Sequence, residues 1–240
     1  GGQWKSEELI NTRNIGLSIP SYDGNEYGSE LEGDTWALFI EDKIIFNDQV
    51  HLTLGNRFDH HDKFGTHNSP RAYLVLQPNE VLTVKGGVAQ GFRAPSLKEN
   101  TAGAATRSGG NGCTSLKPLG YVSGGCYMAG NADLQPEEST NYEIGFNFAQ
   151  NDFDLGLTYF HTDFKNKIEY RALGEINGVW WTQYQNAEKA RVRGLEASVA
   201  LPLLDSLSWK TNATYYFESK NLKKKKNLST IPELSVYSAL

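Results

Sequence analysis

The sequence predicts an all-β chain: an antiparallel transmembrane β-barrel fragment of about nine to ten strands. Three observations carry this. Long segments alternate apolar and polar residues with a period of two, short turn-forming connections take turns with long polar ones, and aromatic residues gather near segment ends. Successive strand side chains point to opposite faces, so a period of two gives one apolar and one polar face. Segments of roughly ten residues with that pattern are the sequence form of a barrel wall, apolar towards lipid and polar towards a lumen.

The elements follow in order. Gly1-Gly2-Gln3-Trp4 reads as the end of a strand rather than a targeting segment. Strands are expected near 34–45, 50–60, 69–77, 81–92, 138–149, 153–171, 181–201, 207–218 and 231–240. In the second, Val50, Leu52 and Leu54 alternate with His51, Thr53, Arg57 and Asp59. In the fourth, Leu82, Val84, Gly86, Val88, Gln90 and Phe92 oppose Thr83, Lys85, Gly87, Ala89 and Gly91. Tyr142, Ile144, Phe146 and Phe148 alternate with Glu143, Gly145 and Asn147. Short turns are read at 46–49, 78–80, 150–152 and 202–206, and long connections at 5–32, 60–69, 93–136, 172–180 and 219–230. The short turns are expected on the periplasmic side and the long loops outside. Ser238-Ala239-Leu240 is again strand-like, so both ends look cut from a longer wall, and residues 1–240 read as one partial barrel domain.

Composition fits this and narrows the function. Mean hydropathy is -0.50 and no apolar run is long enough for a membrane helix, but alternating strands hide from such averages. The net charge of -5 argues against nucleic acid as a partner. The two cysteines, Cys113 and Cys126, share one Gly-rich polar stretch, which suggests a loop disulfide and an oxidising compartment.

The richest segment for chemistry is 93–136, with Arg93, Lys98, Arg107, Lys117, Tyr121 and Tyr127 around the two cysteines. Basic and aromatic groups on an exterior loop suit an anionic aromatic ligand through charge attraction and cation–π contact. The candidate ligand residues are Arg107, Lys117, Tyr121 and Tyr127. His60-His61-Asp62 with His67 invites a metal reading, but adjacent strand residues point apart, so a polar strand end is the better one and no metal site is expected. Lys223 to Lys226 read as a solvated loop tip. Glu41, Arg57, Asp59, Arg71, Lys85, Glu143, Glu196 and Lys210 are expected to face inward, towards a plug, water or one another. No nucleophile elbow, phosphate loop or zinc spacing is present. An enzymatic barrel with His60 or His61 as base lacks a placed nucleophile. A soluble β-sandwich binding protein is the other alternative.

Several segments resemble the TonB-dependent outer-membrane receptors: Trp36-Ala-Leu-Phe-Ile-Glu-Asp42, Leu54-Gly-Asn-Arg-Phe-Asp59, Lys85-Gly-Gly-Val-Ala-Gln-Gly-Phe-Arg-Ala-Pro-Ser96, and Asn131-Ala-Asp-Leu-Gln-Pro-Glu-Glu-Ser-Thr140 followed by Glu143-Ile-Gly145. Asn166-Lys-Ile-Glu169, Gln185-Asn186 and Gly194-Leu-Glu196 extend the likeness over nearly the whole chain. Arg57-Phe-Asp-His-His61, Gly112-Cys113, Gly124-Gly-Cys-Tyr-Met-Ala-Gly-Asn131 and Ser229-Thr-Ile-Pro-Glu233 are most similar to the catecholate (ferric enterobactin) receptor subfamily. The resemblance implies a 22-stranded barrel filled by an N-terminal plug, a place in the bacterial outer membrane, and uptake of a ferric siderophore of catecholate type, with energy relayed by TonB. It implies no resident cofactor and no enzyme activity. Implied partners are the ferric siderophore, outer-membrane lipid, TonB through a plug outside this chain, and colicin or phage as further candidates. A receptor of the same fold for another iron chelate is the alternative. In the subfamily, aromatic residues beside both loop cysteines help form the ligand surface. Tyr127 keeps that pattern, whereas Thr114 departs from it.

Overall fold

A computed structural model of the chain describes residues 1–10, 19–20, 30–204, 206–228 and 232–240. Its framework is one antiparallel sheet. Strands β1 (Gly2–Ile10), β2 (Glu30–Asn47), β3 (Val50–His61), β4 (Gly65–Asn79) and β5 (Leu82–Arg93) pair with their neighbours in sequence. Then come β6 (Ala105–Ser108), a 3-10 helix (Asn111–Leu119) and β7 (Cys126–Ala129), which lie off the main path. The wall resumes with β8 (Glu137–Gln150) beside β5, and continues through β9 (Phe153–Ile176), β10 (Val179–Leu204) and β11 (Leu207–Asn221). β12 (Lys226–Asn227) and β13 (Leu234–Ala239) both pair with β11. The sheet does not close on itself.

Register sorts the side chains into the two faces that the alternation implies. On one face Leu38 meets Phe58, Leu52 meets Leu74, Ala72 meets Val88 and Val84 meets Phe146. The row continues with Leu157, Ala197, Ala213 and Val236. Many of the large apolar residues on this face are exposed: Leu38 is 57%, Ile40 72% and Val236 58% accessible. An apolar face of this extent with no protein against it is a lipid-facing surface. The opposite face is polar and internally paired. The Arg57 guanidinium meets Asp59 at 2.8 Å, Asn141 donates to Glu143 at 2.7 Å, and Arg71 forms an ion pair with Glu41 two strands away. That last pair depends on Gly55, the residue between them in register. A Cβ there would stand 2.9 Å from the Arg71 Nε, so the bare glycine gives the Arg71 side chain room to lie across β3. Gly87 serves Tyr73 likewise: a Cβ would lie 2.3 Å from the ring and 2.7 Å from the Ala72 carbonyl.

Two of the expected long connections are tight turns. The chain stays in β3 to His61 and re-enters strand at Gly65, so 60–69 is mostly strand around a turn at 62–64. At 172–180 the strand runs on to Ile176 and reverses at Asn177 and Gly178, both with positive φ (53° and 76°). This is the two-residue Asn-Gly hairpin, whose twist matches its flanking strands. β1 continues to Ile10 where a loop was expected from residue 5, and the remainder of 5–32 falls largely outside the described residues. The connection expected at 219–230 begins as strand to Asn221, and 229–231 lie outside the described residues. Sorting loops by length therefore overstated the contrast between the two ends.

The hairpin of β9 and β10 has 24 and 26 residues in its arms. A tilted strand crosses a bilayer in about 9–11 residues, so more than half of this hairpin projects beyond the membrane and can hold a loop in place.

If the exposed apolar face meets lipid, Leu54→Arg, Val88→Arg and Leu157→Arg each destabilise by about 2–4 kcal/mol near the bilayer midplane, and substitutions at Thr53 or Asn147 cost less. Folding titrations into lipid vesicles measure this, and equal tolerance on both faces would refute the assignment.

Candidate functional site

The chain leaves the wall at Arg93 and returns at Glu137, directly opposite it in register. The loop between is anchored at its base by charge. Arg93 contacts Glu99 at 3.0 Å and Glu137 at 3.2 Å, while Lys167 reaches Glu137 at 3.3 Å. The Ile168 N–H donates to the Glu137 carboxylate at 3.0 Å, and the Ser96 N–H and hydroxyl both donate to Glu99, at 2.8 and 3.0 Å. Burial works against ionisation of Glu137, but the Ile168 N–H, Lys167 and Arg93 outweigh it and hold its carboxyl below the ordinary value of 4.5.

A second set of bonds ties the loop to the projecting hairpin. Asn186 donates to the carbonyls of Gln135 (2.9 Å) and Asn166 (2.7 Å), and its side-chain oxygen accepts from the Gln135 N–H at 2.8 Å. Asn131 donates to the Tyr184 carbonyl at 3.1 Å, and Gln183 to that of Gly130 at 3.3 Å. β7 then adds in parallel to β10, setting Tyr127 opposite Trp181. Trp181 is 1% exposed, with Ile19, Ala105 and Ala129 around it. Nearby, burial first and a hydrogen bond with Tyr170 second push the Tyr184 hydroxyl well above the ordinary phenol range, so it stays protonated.

The disulfide joins Cys113, on the 3-10 helix, to Cys126, at the start of β7. With Leu116 and Tyr121 the two cysteines form a small buried core against Ala172 and Trp180.

The four candidate ligand residues divide into three positions. Arg107 and Tyr127 are cross-strand partners on the β6–β7 hairpin, so a basic and an aromatic residue are neighbours in register, and the Arg107 guanidinium donates to the Gly124 carbonyl at 3.5 Å. Arg107 is exposed, and Tyr127 is half-buried with its ring 5.3 Å from that of Trp181. Lys117 is exposed in the last turn of the 3-10 helix. Tyr121 is 7% exposed; its ring meets Trp180 edge-on at 5.7 Å and its hydroxyl accepts from the Gly125 N–H at 3.0 Å. It supports the loop from beneath and is not on the surface. The histidines are engaged in local contacts: His60 with Thr66 and Trp36, His61 with Asp62, and His67 stacked on Phe92 at 3.8 Å. Lys223 pairs with Glu188 and Lys224 with Glu169, so half of the lysine run at 223–226 is tied to the wall.

What sequence reasoning missed is the support. The sequence places Trp180 at the edge of a loop and Trp181 and Tyr184 at the start of a strand, yet in the structure they form the platform on which 93–136 folds. The Trp-Trp pair before a Gln-Tyr-Gln-Asn alternation was the available signal. The quoted motif residues around Arg93, Asn131, Asn166 and Gln185 also converge here, which no spacing along the chain reveals.

Antiparallel strands with a bare apolar face, a paired polar face and a disulfide-pinned loop beyond one edge define a segment of outer-membrane barrel wall. The model of the TonB dependent receptor-like β-barrel matches residues 1–239, and the chain belongs to that family, whose place is the bacterial outer membrane. It is similar over its whole length to the ferric enterobactin receptor PirA of Pseudomonas aeruginosa (35% identical over 250 residues) and to the ferrienterobactin receptor of Escherichia coli K12 (33% over 257), covering 33% of each. The chain thus spans about a third of the length of these curated relatives. Among solved structures, a mutant ferric enterobactin receptor (PfeA) of P. aeruginosa in complex with enterobactin superposes with a TM-score of 0.76 at 33% identity, over 99% of this chain and 35% of that one. The siderophore receptor PirA of P. aeruginosa gives 0.75 at 35%, over 90% and 38%.

Two outcomes follow from the anchors. A depressed carboxyl contributes stability that is complete above the ordinary carboxylate range and is lost as pH falls through the lowered native value. Glu137→Gln in the intact receptor therefore weakens protection of the Ile168 amide by about 1.5–3 kcal/mol at neutral pH and removes its dependence on acid, as hydrogen exchange will show. Reducing Cys113–Cys126 lowers loop stability by about 3 kcal/mol on the chain-entropy model while the wall stays folded. Limited proteolysis with and without reductant reads this, and unchanged cleavage of 105–126 would contradict it.

Proposed function

We propose that this chain is a partial barrel wall of a receptor that takes up ferric siderophores of the catecholate class, energised through TonB, and that it is not an enzyme. The observation that carries the reading is the Arg107–Tyr127 pair, on a disulfide-pinned loop of a chain related along its full length to ferric enterobactin receptors. Ferric catecholates are anionic with flat aromatic arms. A guanidinium beside a ring offers them charge and a stacking surface together. Pinning by the disulfide, the Arg93–Glu137 base and the Asn186 bonds fixes that pair before the ligand arrives, which lowers the ordering cost of binding. Lys117 adds charge from the neighbouring helix, and Tyr121 acts through the loop's small core. The ligand partner is then the ferric siderophore, and TonB is the energy-coupling partner.

Arg107→Ala and Tyr127→Ala in the intact receptor test this. Cation–π contacts are worth roughly 0.5–1 kcal/mol when exposed and about 2 when desolvated, so each change weakens ferric-catecholate binding by about two- to thirty-fold, and the double change by more. Added salt weakens wild type more than the Arg107→Ala variant, because exposed charge attraction is screened. A double variant that binds like wild type at low salt would remove this loop from the ligand surface. Tighter binding of a ferric hydroxamate than of a ferric catecholate would reassign the receptor to another iron chelate.

A further inference from the structure

The 3-10 helix rests on one face of the β6–β7 hairpin. Alternation puts Thr106, Ser108, Cys126 and Met128 on that face, and Arg107 and Tyr127 on the other. Contacts of different chemistry hold the first turn of the helix there. The disulfide joins Cys113 to Cys126. The Ser108 hydroxyl accepts the Gly112 N–H at 2.9 Å and the Gly110 N–H at 3.3 Å. Beside them lies the thioether of Met128, the one methionine in the chain. Its sulfur packs against Gly112, 2.5 Å from where a Cβ would stand, so the bare glycine is what admits it. On its own sheet Met128 stands opposite Thr106 of β6 and beside Thr182 of β10, which is fully buried. Met128 itself is partly exposed and so open to a small solute. A disulfide is already oxidised, and a serine hydroxyl resists peroxide. A thioether does not.

We propose that Met128 is an oxidation site that sets how firmly the helix is latched to the hairpin, with hydrogen peroxide as the oxidant. The sulfur lone pair attacks one peroxide oxygen, and an S–O bond forms as the O–O bond breaks. The departing hydroxide takes the proton from the sulfur-bound oxygen and leaves as water, so sulfur is oxidised by two electrons and the peroxide is reduced. The sulfoxide is larger and polar where a soft apolar atom fitted. The Gly112 N–H already bonds to Ser108, so it has no hydrogen to offer the new oxygen. The first turn of the helix lifts, while the disulfide keeps it attached. The change is therefore graded, and methionine sulfoxide reductases reverse it. Its consequence for the ligand rests on the siderophore reading above. The helix carries Lys117 and backs the hairpin that presents Arg107 and Tyr127, so a looser helix raises the ordering cost of binding. Peroxide and reduced iron together generate hydroxyl radicals, and a receptor that takes up less ferric chelate in the presence of peroxide limits that reaction.

The test uses the intact receptor with hydrogen peroxide as the probe, in wild type and in Met128→Leu, which keeps the apolar volume without the sulfur. Peptide mapping by mass spectrometry follows the added oxygen at Met128. Limited proteolysis reads the helix, and equilibrium binding reads ferric-catecholate affinity. Peroxide is expected to oxidise Met128, to speed cleavage within 105–126, and to weaken ferric-catecholate binding roughly fivefold, about 1 kcal/mol. Met128→Leu should match untreated wild type before and after peroxide. Met128→Gln, polar and unbranched, should resemble oxidised wild type without any peroxide. Treatment with both methionine sulfoxide reductases, one for each epimer, should restore the oxidised wild type. An unoxidised Met128, where other partly exposed methionines of the receptor are oxidised, would overturn the proposal. So would unchanged cleavage after complete conversion, or an equal loss in Met128→Leu. Faster cleavage with unchanged affinity would uphold the latch and count against the siderophore reading instead, so the two fail separately.

Discussion

The whole structure follows from one constraint: in hydrocarbon, a backbone N–H or C=O has no water to turn to. Each strand must bond to a neighbour along the length that lies in lipid, and β1 to β5 and β8 to β11 do so in antiparallel registers with only local irregularities. Once pairing is fixed, the pleat decides the rest. Every second residue faces lipid and must be apolar, while every other one faces inward and is free to be charged. Some of the inward charges neutralise one another, as in Arg57–Asp59 and Glu41–Arg71, and small residues such as Gly55 and Gly87 give the long side chains room to lie across the wall.

The same pairing rule builds the candidate site. β9 and β10 keep their ladder well past the lipid, because nothing breaks it before Asn177-Gly178. That extension provides a free edge, which β7 uses to dock in parallel, and a row of carbonyls and side-chain amides that Gly130, Asn131 and Gln135 of the loop use as well. A loop of more than forty residues gains order from a scaffold that already exists.

Much of the wall was legible because a period of two is a local property. Val84 and Phe146 declare their face without knowledge of their partner. Two kinds of feature were not local. The loop ends at 60–69 and 172–180 were judged by polarity, although polar residues in a strand that has left the membrane carry no sign of having left the ladder; the Asn-Gly dipeptide was the better guide. The role of Tyr121 depended on Trp180, nearly sixty residues away, so residue type suggested a ligand contact where packing placed a support. Arg107 beside Tyr127 could be inferred only in part, because the register of β6 with β7 is set by the disulfide and by Trp181 rather than by either short strand.

The loop is therefore held by three devices of different chemistry, and their difference matters. The small clusters around Trp181 and Leu116 contain too few apolar residues to order so long a segment alone. The disulfide limits the loop's freedom without depending on pH or salt. The Arg93–Glu99–Glu137–Lys167 network fixes where the loop joins the wall and weakens in acid and at high salt. The amide bonds of Asn131 and Asn186 carry no net charge and depend on neither. At the exposed edge of a barrel, where ionic conditions vary, dividing the work in this way keeps the Arg107–Tyr127 pair in place when any single anchor is weakened.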